Sequence, residues 1–173
     1  FFGLPTLYNA LIRVESIEQE NLSSVRLCIS AAEVLSEEIA KAWRDQFGHV
    51  IVEGLGSTEL LHIYLSNTER EQKSGSAGKP VPGYAVRLET PEGLEARAGE
   101  EGLMAVRGLS GAQYYWDRPQ NTAETMRKGW IHTGDRFICD HDGFYFFRGR
   151  ADDLVKVSGQ WVYPLEIELV LNE

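Results

Sequence analysis

Ser36-Glu37-Glu38-Ile39-Ala40-Lys41-Ala42-Trp43-Arg44-Asp45-Gln46-Phe47-Gly48-His49-Val50-Ile51-Val52-Glu53 reads as a helix and a strand joined through one glycine. Ser36 is a candidate N-cap. Ile39, Trp43 and Phe47 recur at fourfold spacing and so share one helix face, and Gly48 is the stop signal. His49 to Glu53 is a short apolar, β-branched run. Upstream, Val25-Arg26-Leu27-Cys28-Ile29-Ser30 has the same strand character. Strand, helix and strand within about 30 residues predict a βαβ unit, with a right-handed crossover and a parallel sheet.

After Gly78 the patterning changes. Short runs such as Ala85-Val86-Arg87-Leu88-Glu89 and Leu103-Met104-Ala105-Val106-Arg107 alternate with the turns Pro91-Glu92-Gly93 and Gly99-Glu100-Glu101-Gly102. Phe137-Ile138-Cys139 and Phe144-Tyr145-Phe146-Phe147 flank His141-Asp142-Gly143, a hairpin signal. This spacing predicts an antiparallel, barrel-like subdomain, with a helix only over 121–128. Residues 154–157 and 161–163 read as a further hairpin, leading into a helix that starts at Pro164.

Composition narrows the function classes. The chain has 173 residues with 26 acidic and 17 basic side chains, a formal net charge of −9. That balance argues against non-specific nucleic-acid binding and against an anionic membrane surface, both of which need a basic patch. At 43% hydrophobic residues the chain is too apolar for disorder. No apolar run approaches the roughly 20 residues of a membrane helix. Cys28 and Cys139 each sit in an apolar strand-like run and read as buried free thiols of a reducing, cytoplasmic compartment. Two Cys and four scattered His show no close pair for zinc. Phe1-Phe2-Gly3 lacks a methionine and Leu171-Asn172-Glu173 falls inside an apolar-periodic segment. The stretch therefore reads as an interior piece of a longer protein, and a missing targeting signal says nothing about the parent.

Three segments carry candidate chemistry. Glu53-Gly54-Leu55-Gly56-Ser57-Thr58-Glu59 places two glycines after a strand, then two hydroxyls and a carboxylate. The glycines would admit a ligand to the backbone, the hydroxyls would meet phosphate oxygens, and the carboxylate would hold Mg²⁺. The alternative is a plain strand-to-helix turn capped by Ser57 or Thr58. Gly129-Trp130-Ile131-His132-Thr133-Gly134-Asp135 offers a carboxylate for two vicinal hydroxyls, or a tight turn with a self-capping Asp. Arg148-Gly149-Arg150-Ala151-Asp152-Asp153 ends a strand in two arginines, for an anion or as a solvated cluster. Residues 73–80 resemble a phosphate loop, but Pro80 closes the segment and nothing helical follows, so it reads as a connection. Tyr114-Tyr115-Trp116 reads as core or edge packing.

In this order, the stretches Ser30-Ala31-Ala32-Glu33-Val34-Leu35, Gly54 to Glu59, Gly78-Lys79-Pro80-Val81-Pro82-Gly83, Trp130 to Asp135 and Gly149 to Gly159 resemble the adenylate-forming superfamily of acyl- and aryl-CoA synthetases. Pro164-Leu165-Glu166-Ile167-Glu168 also fits. Within the superfamily, Pro5-Thr6-Leu7-Tyr8, Ser57 to Ile63 and Val157 to Val162 are most similar to the benzoate-CoA ligases and their hydroxybenzoate relatives.

The resemblance implies an α/β fold in three parts. Residues 1–84 would be the end of a doubly wound, mostly parallel sheet subdomain that binds AMP. Residues 85–151 would be an antiparallel β-barrel-like subdomain, and 152–173 the hinge and start of a small α+β C-terminal domain. It implies an ATP-dependent ligase that forms acyl-AMP from a small aromatic carboxylic acid and then a thioester with coenzyme A, using Mg²⁺. Thr58 would bind phosphate, Glu59 would ligate Mg²⁺, Asp135 would hold both ribose hydroxyls, and Arg150 would lie near ribose and phosphate.

Ala31, Ala32, Glu33, Glu53, Gly54, Leu55, Gly56 and Ser57 would line the nucleotide and acyl pockets, with Glu53 near the adenine amino group. His62 and Ile63 would face the aryl ring. Asp152 would be the hinge, and Gly159 would lie beside the pantetheine arm. Leu55 stands where many members carry an aromatic residue. The phosphate loop with its lysine would lie upstream of Phe1 and the adenylation lysine downstream of Glu173, which implies that this stretch alone is inactive. A carrier protein in place of CoA, and a non-catalytic nucleotide-binding fragment, are the alternatives. A homo-oligomer of the parent is a possible assembly.

Overall fold

The structure is a computed structural model that describes residues 1–17, 20–153, 155–157, 160–162, 164 and 167. The chain divides into two compact units, Phe1–Thr58 with His62–Val81, and Glu59–Leu61 with Pro82–Glu173.

The first unit is an α/β layer. Its sheet runs β1 (Phe2–Gly3), β2 (Cys28–Ser30), β3 (Ile51–Gly56), β4 (Ile63–Ser66) and β5 (Lys79–Pro80), in that spatial order. β1, β2 and β3 are parallel, and β4 and β5 are added antiparallel. The crossover from β2 to β3 is helix α2 (Glu37–Phe47). Ser36 accepts the Ile39 N–H at 3.3 Å, and Glu37 and Glu38 complement the helix dipole in the first turn. Gly48 ends the helix at φ 71°, donating its N–H to the Arg44 carbonyl at 2.8 Å.

The predicted apolar face is the one that packs. Trp43 is 3% exposed and meets Tyr8 edge-on at 4.8 Å and Phe47 at 4.4 Å, in a core shared with Cys28, Leu35 and Ile51. Tyr8 comes from helix α1 (Pro5–Ile12), whose proline occupies the first turn where no N–H is needed. The Tyr8 hydroxyl donates to the Ile29 carbonyl at 2.9 Å, which satisfies it inside this core.

The second unit is a curled antiparallel half-barrel of β6 (Ala85–Glu89), β7 (Glu101–Arg107), β9 (Trp130–Cys139) and β10 (Tyr145–Arg150), ordered β10-β9-β7-β6. β8 (Met126–Arg127) is paired onto β9. Register shifts between Leu103 and Ala105 and between Phe147 and Arg150 are bulges, which raise local twist and curl the sheet. Leu88, Met104, Val106, Ile131 and Phe137 fill its inner face. The hairpin at 140–143 forms where expected: Asp140 Oδ1 accepts the N–H groups of Asp142 and Phe144, and Gly143 takes φ 83°. β11 (Val155–Val157) and β12 (Gln160–Val162) form the last hairpin. Among the described residues no helix is long and apolar enough to cross a membrane.

Several local expectations are corrected. The second strand starts at Ile51 and continues through Gly54-Leu55-Gly56, so these glycines lie inside a strand. Pairing with β4 is what extends it. The helix expected over 121–128 is α3 (Pro119–Thr125), after which Met126 and Arg127 join the sheet. Tyr114 and Trp116 are 61% and 84% exposed, so neither is core. Cys28 is buried but Cys139 only half-buried, and both are free thiols. The helix expected from Pro164 lies mostly outside the described residues.

Ser36→Ala should lower unfolding stability by about 1 kcal/mol through the lost cap. Trp43→Ala should lower it by about 3–5 kcal/mol through the cavity it leaves. Denaturant titration of both variants checks the ranking; an equal or reversed order would refute the packing described for α2.

Candidate functional site

Two groups of candidate residues are described separately, one in each unit. In the first unit, Ala31, Ala32 and Glu33 follow the carboxyl end of β2, and Ser57 and Thr58 follow that of β3. In an open α/β sheet the crevice beyond these ends is where ligands bind. Ala32 takes φ 75°, a left-handed conformation for a residue with a side chain, and Ala32 and Glu33 are exposed. Ser57 Oγ is buried and has no hydrogen-bond partner among the described residues. Thr58 is exposed next to it.

The two glycines of this segment lie against β4. A Cβ on Gly54 would meet Ile63 Cδ1 at 2.8 Å, and one on Gly56 would meet the His62 carbonyl oxygen at 2.4 Å. Their missing Cβ atoms admit β4 to β3. Leu55 pairs with Leu65 and is half-buried. Ile63 covers Gly54. His62 is exposed, and its Nδ1 accepts the Ile63 N–H at 2.6 Å.

Glu53 Oε1 accepts the Leu35 N–H at 3.2 Å, and the side chain lines a cavity of about 480 Å³ with Leu35, Ala40, Arg44, Asn67 and Lys73. Burial pushes its carboxyl up to about 7, against the lowering effect of the Leu35 hydrogen bond. Residues 73–78 form a connecting loop folded onto buried Asn67, whereas Lys79–Pro80, read from the sequence as part of the connection, is strand β5, because it pairs with Leu65 and Ser66. Asn67 donates to the Ser76 carbonyl at 2.7 Å and accepts from Ser76 Oγ and the Lys73 N–H, both at 3.2 Å.

In the second unit, Asp135 on β9 faces Arg150 at the end of β10, Nη1 to Oδ1 3.2 Å. The bulge before Arg150 restores this cross-strand pairing. Gly134, at φ 78°, leaves room for the guanidinium, since a Cβ there would stand 3.2 Å from Arg150 Nη2. Arg150 also grips Asp152 through Nε and Nη2, at 2.8 and 3.1 Å, a two-point contact. Burial pushes the Asp135 carboxyl up, while the Thr133 hydroxyl and Arg150 pull it back. The Arg150 hydrogen bond holds exposed Asp152 below the usual carboxylate range.

Glu59 sits in the 3-10 turn Thr58–Leu60 and is half-buried. Tyr115 donates its hydroxyl to Glu59 Oε1 at 2.5 Å. The sequence reads Tyr115 as core or edge packing, and its bond to Glu59, 56 positions away, has no local signal. Among the described residues there is no cluster of three or more His, Cys, Asp or Glu able to hold a metal. A lone Glu59 nonetheless fits Mg²⁺ that arrives with a nucleotide, because Mg²⁺ keeps most of its waters and binds through one or two carboxylates plus phosphate oxygens. Gly159 lies outside the described residues.

The pattern of the family described as AMP-binding enzyme matches residues 1–116. The benzoate–CoA ligase of Thauera aromatica is 41% identical over 172 residues, covering 99% of this chain and 33% of that protein. The 4-hydroxybenzoate–CoA/benzoate–CoA ligase of Rhodopseudomonas palustris is 42% identical over 171 residues, 98% of this chain and 32% of that protein. Among solved structures, an anthranilate CoA ligase in complex with anthranoyl-AMP matches with a TM-score of 0.88 at 40% identity, over 99% of this chain and 33% of that one. A benzoate CoA ligase from Burkholderia xenovorans matches with a TM-score of 0.86 at 36% identity, over 99% and 34%. The chain thus spans about a third of the length of the curated relatives it matches.

The pH dependence of stability tests the environment of Glu53. Its folded-state pKa, near 7, lies above the unfolded 4.5, so between these values the folded state holds the extra proton. Stability should fall as pH rises from 4.5 to 7, and Glu53→Gln, which keeps an acceptor for Leu35, should flatten that slope. Parallel pH–stability curves for the two proteins would show that Glu53 is not so buried.

Proposed function

The chain belongs to the AMP-binding enzyme family, and from that premise we propose that it is part of an ATP-dependent aryl-acid CoA ligase, an acid–thiol ligase releasing AMP and pyrophosphate. The observation that carries this reading is the match, along nearly the whole chain, to ligases named for benzoate and hydroxybenzoate. The proposed acid is accordingly a small benzoate-like carboxylate. The division into 1–84, 85–151 and 152–173, and a cytoplasmic setting, belong to the same proposal.

The chemistry follows from a carboxylate being a poor electrophile. One carboxylate oxygen of the acid attacks the α-phosphorus of ATP, the bond to the bridging oxygen breaks, and pyrophosphate leaves. The resulting acyl-AMP carries a good leaving group, so the thiolate of CoA attacks its carbonyl and AMP departs. Mg²⁺, when bound, supplies charge stabilisation on the phosphate oxygens. Glu59 is the residue proposed to hold it. Ser57 and Thr58 would donate to phosphate oxygens. Asp135 would accept from both ribose hydroxyls, and Arg150, already aligned by Asp135 and Asp152, would place its positive charge near ribose and phosphate. Ala31, Ala32, Glu33 and Glu53 to Gly56 would border the nucleotide and acyl pockets, with His62 and Ile63 toward the ring. Asp152, exposed just after β10, is the proposed hinge, and Gly159 the close-approach position for the pantetheine arm.

The test is ATP–pyrophosphate exchange by the full-length protein, followed by thioester assay with CoA and with a carrier protein. Exchange driven by benzoate, hydroxybenzoate or anthranilate and not by aliphatic acids is expected, with CoA as acceptor. No exchange with any aromatic acid overturns the reading; exchange without CoA thioester moves it to another acceptor.

The ribose assignment has its own check. The unmodified protein should bind ATP more tightly than 2′,3′-dideoxy-ATP by about 2–4 kcal/mol, since two charge-assisted hydrogen bonds are lost in the analogue. Asp135→Ala should abolish that gap. Equal affinities in the unmodified protein would remove Asp135 from the ribose.

A further inference from the structure

We infer that Tyr115 is a positioning residue for the metal-binding carboxylate: its hydroxyl, hydrogen-bonded to Glu59 Oε1, holds that side chain in the one orientation that meets the Mg²⁺ of the nucleotide complex. The inference rests on the assignment of Glu59 made above.

The contact at 2.5 Å is in the range of a charge-assisted O–H···O⁻ bond. It is the outermost of a set of bonds from one loop onto one pair of residues. The Ala112 N–H donates to the Glu59 carbonyl at 2.7 Å, and Ser110 Oγ donates to the Leu60 carbonyl at 2.8 Å. The Tyr84 hydroxyl reaches the same Leu60 carbonyl at 3.3 Å and Ser110 Oγ at 2.7 Å. Loop residues 110–115 thus hold both backbone carbonyls and the carboxylate of Glu59-Leu60.

The next residue, Leu61, is at φ 77°, a strained value for a residue with a side chain. Tyr115 is itself anchored. Its N–H donates to Thr122 Oγ1 at 2.9 Å, and that hydroxyl donates to the Arg118 carbonyl at 2.8 Å, at the start of α3. Packing is a poor account of the residue. Its neighbours Tyr114 and Trp116 point to solvent, and only the middle ring of the three turns inward, hydroxyl first onto a carboxylate.

A free glutamate side chain has three torsions to restrict when it takes a metal. A neighbour that restricts them beforehand raises affinity without touching the ion, and losing such an outer partner costs about 10–100-fold in metal affinity or activity. Glu59 is the carboxylate assigned to the ion here, so this effect falls on its orientation.

The experiment compares the full-length protein with Tyr115→Phe and Glu59→Gln, using Mn²⁺ as the paramagnetic stand-in for Mg²⁺. The first readout is Mn²⁺ affinity in the presence of a non-hydrolysable ATP analogue, by electron paramagnetic resonance. The second is the Mg²⁺ concentration that half-saturates ATP–pyrophosphate exchange. Tyr115→Phe should weaken Mn²⁺ binding about 10-fold and raise the Mg²⁺ requirement in step, with much of the lost rate returning at saturating Mg²⁺ and the melting temperature unchanged. Glu59→Gln should weaken Mn²⁺ binding further, beyond recovery by Mg²⁺. If Glu59→Gln weakens Mn²⁺ binding and Tyr115→Phe does not, the positioning role is overturned while Glu59 keeps its own. If neither variant changes Mn²⁺ binding, the Glu59 assignment fails and takes the inference with it. A Tyr115→Phe protein that is slower by the same factor at every Mg²⁺ concentration, or that melts lower, makes the hydroxyl structural and also overturns it.

Discussion

Glu59 and Leu60 present two backbone carbonyls and a carboxylate, and all three are answered by hydrogen bonds from Ala112, Ser110 and Tyr115 of one loop, joined by Tyr84. Leu60 is fully buried, so its carbonyl has no ready access to water and would be costly if left unpaired. Ser57 and Thr58 are the two residues before this pair, and the strained Leu61 is the residue after it. The positions proposed to meet phosphate and metal therefore occupy consecutive places on a backbone held at its end by side chains distant in sequence. Catalytic preorganisation requires such restraint: donors and carboxylates must stand in place before charge develops.

The glycines of the motif show how closely fold and site are bound up. Gly54 and Gly56 are required because β4 lies against them, with Ile63 over one and the His62 carbonyl against the other. The same packing sets where His62 and Ile63 stand, so the residues proposed for the aryl ring are placed by the absence of two Cβ atoms on the neighbouring strand. Gly134 acts in a similar way for Arg150, whose guanidinium passes where a side chain would be.

Three carboxylates illustrate how environment divides one chemical group into different tasks. Glu53 loses water and gains one N–H, so its proton is held to near neutrality. Asp135 loses water but faces Arg150, and the cation offsets part of the burial. Asp152 is exposed and gripped at two points by the same arginine, which favours its charged form. Arg150 thus joins the residue proposed for ribose to the residue proposed for the hinge.

The sequence alone determined the local elements and the family. Ser36, the fourfold apolar spacing and Gly48 specify α2, and His141-Asp142-Gly143 signals the hairpin, because caps, periodicity and turns depend on residues within about one turn of each other. The ordered motifs were sufficient for the family because each is a short contiguous word in the chain. The Tyr115–Glu59 bond spans 56 positions, and the Asp135–Arg150 pair depends on a bulge between two strands. The packing role of Gly54 and Gly56 depends on which strand lies beside them. These were decided only by tertiary structure, since a hydrogen bond or a steric contact acts over a few ångströms in space and leaves no periodic trace along the chain.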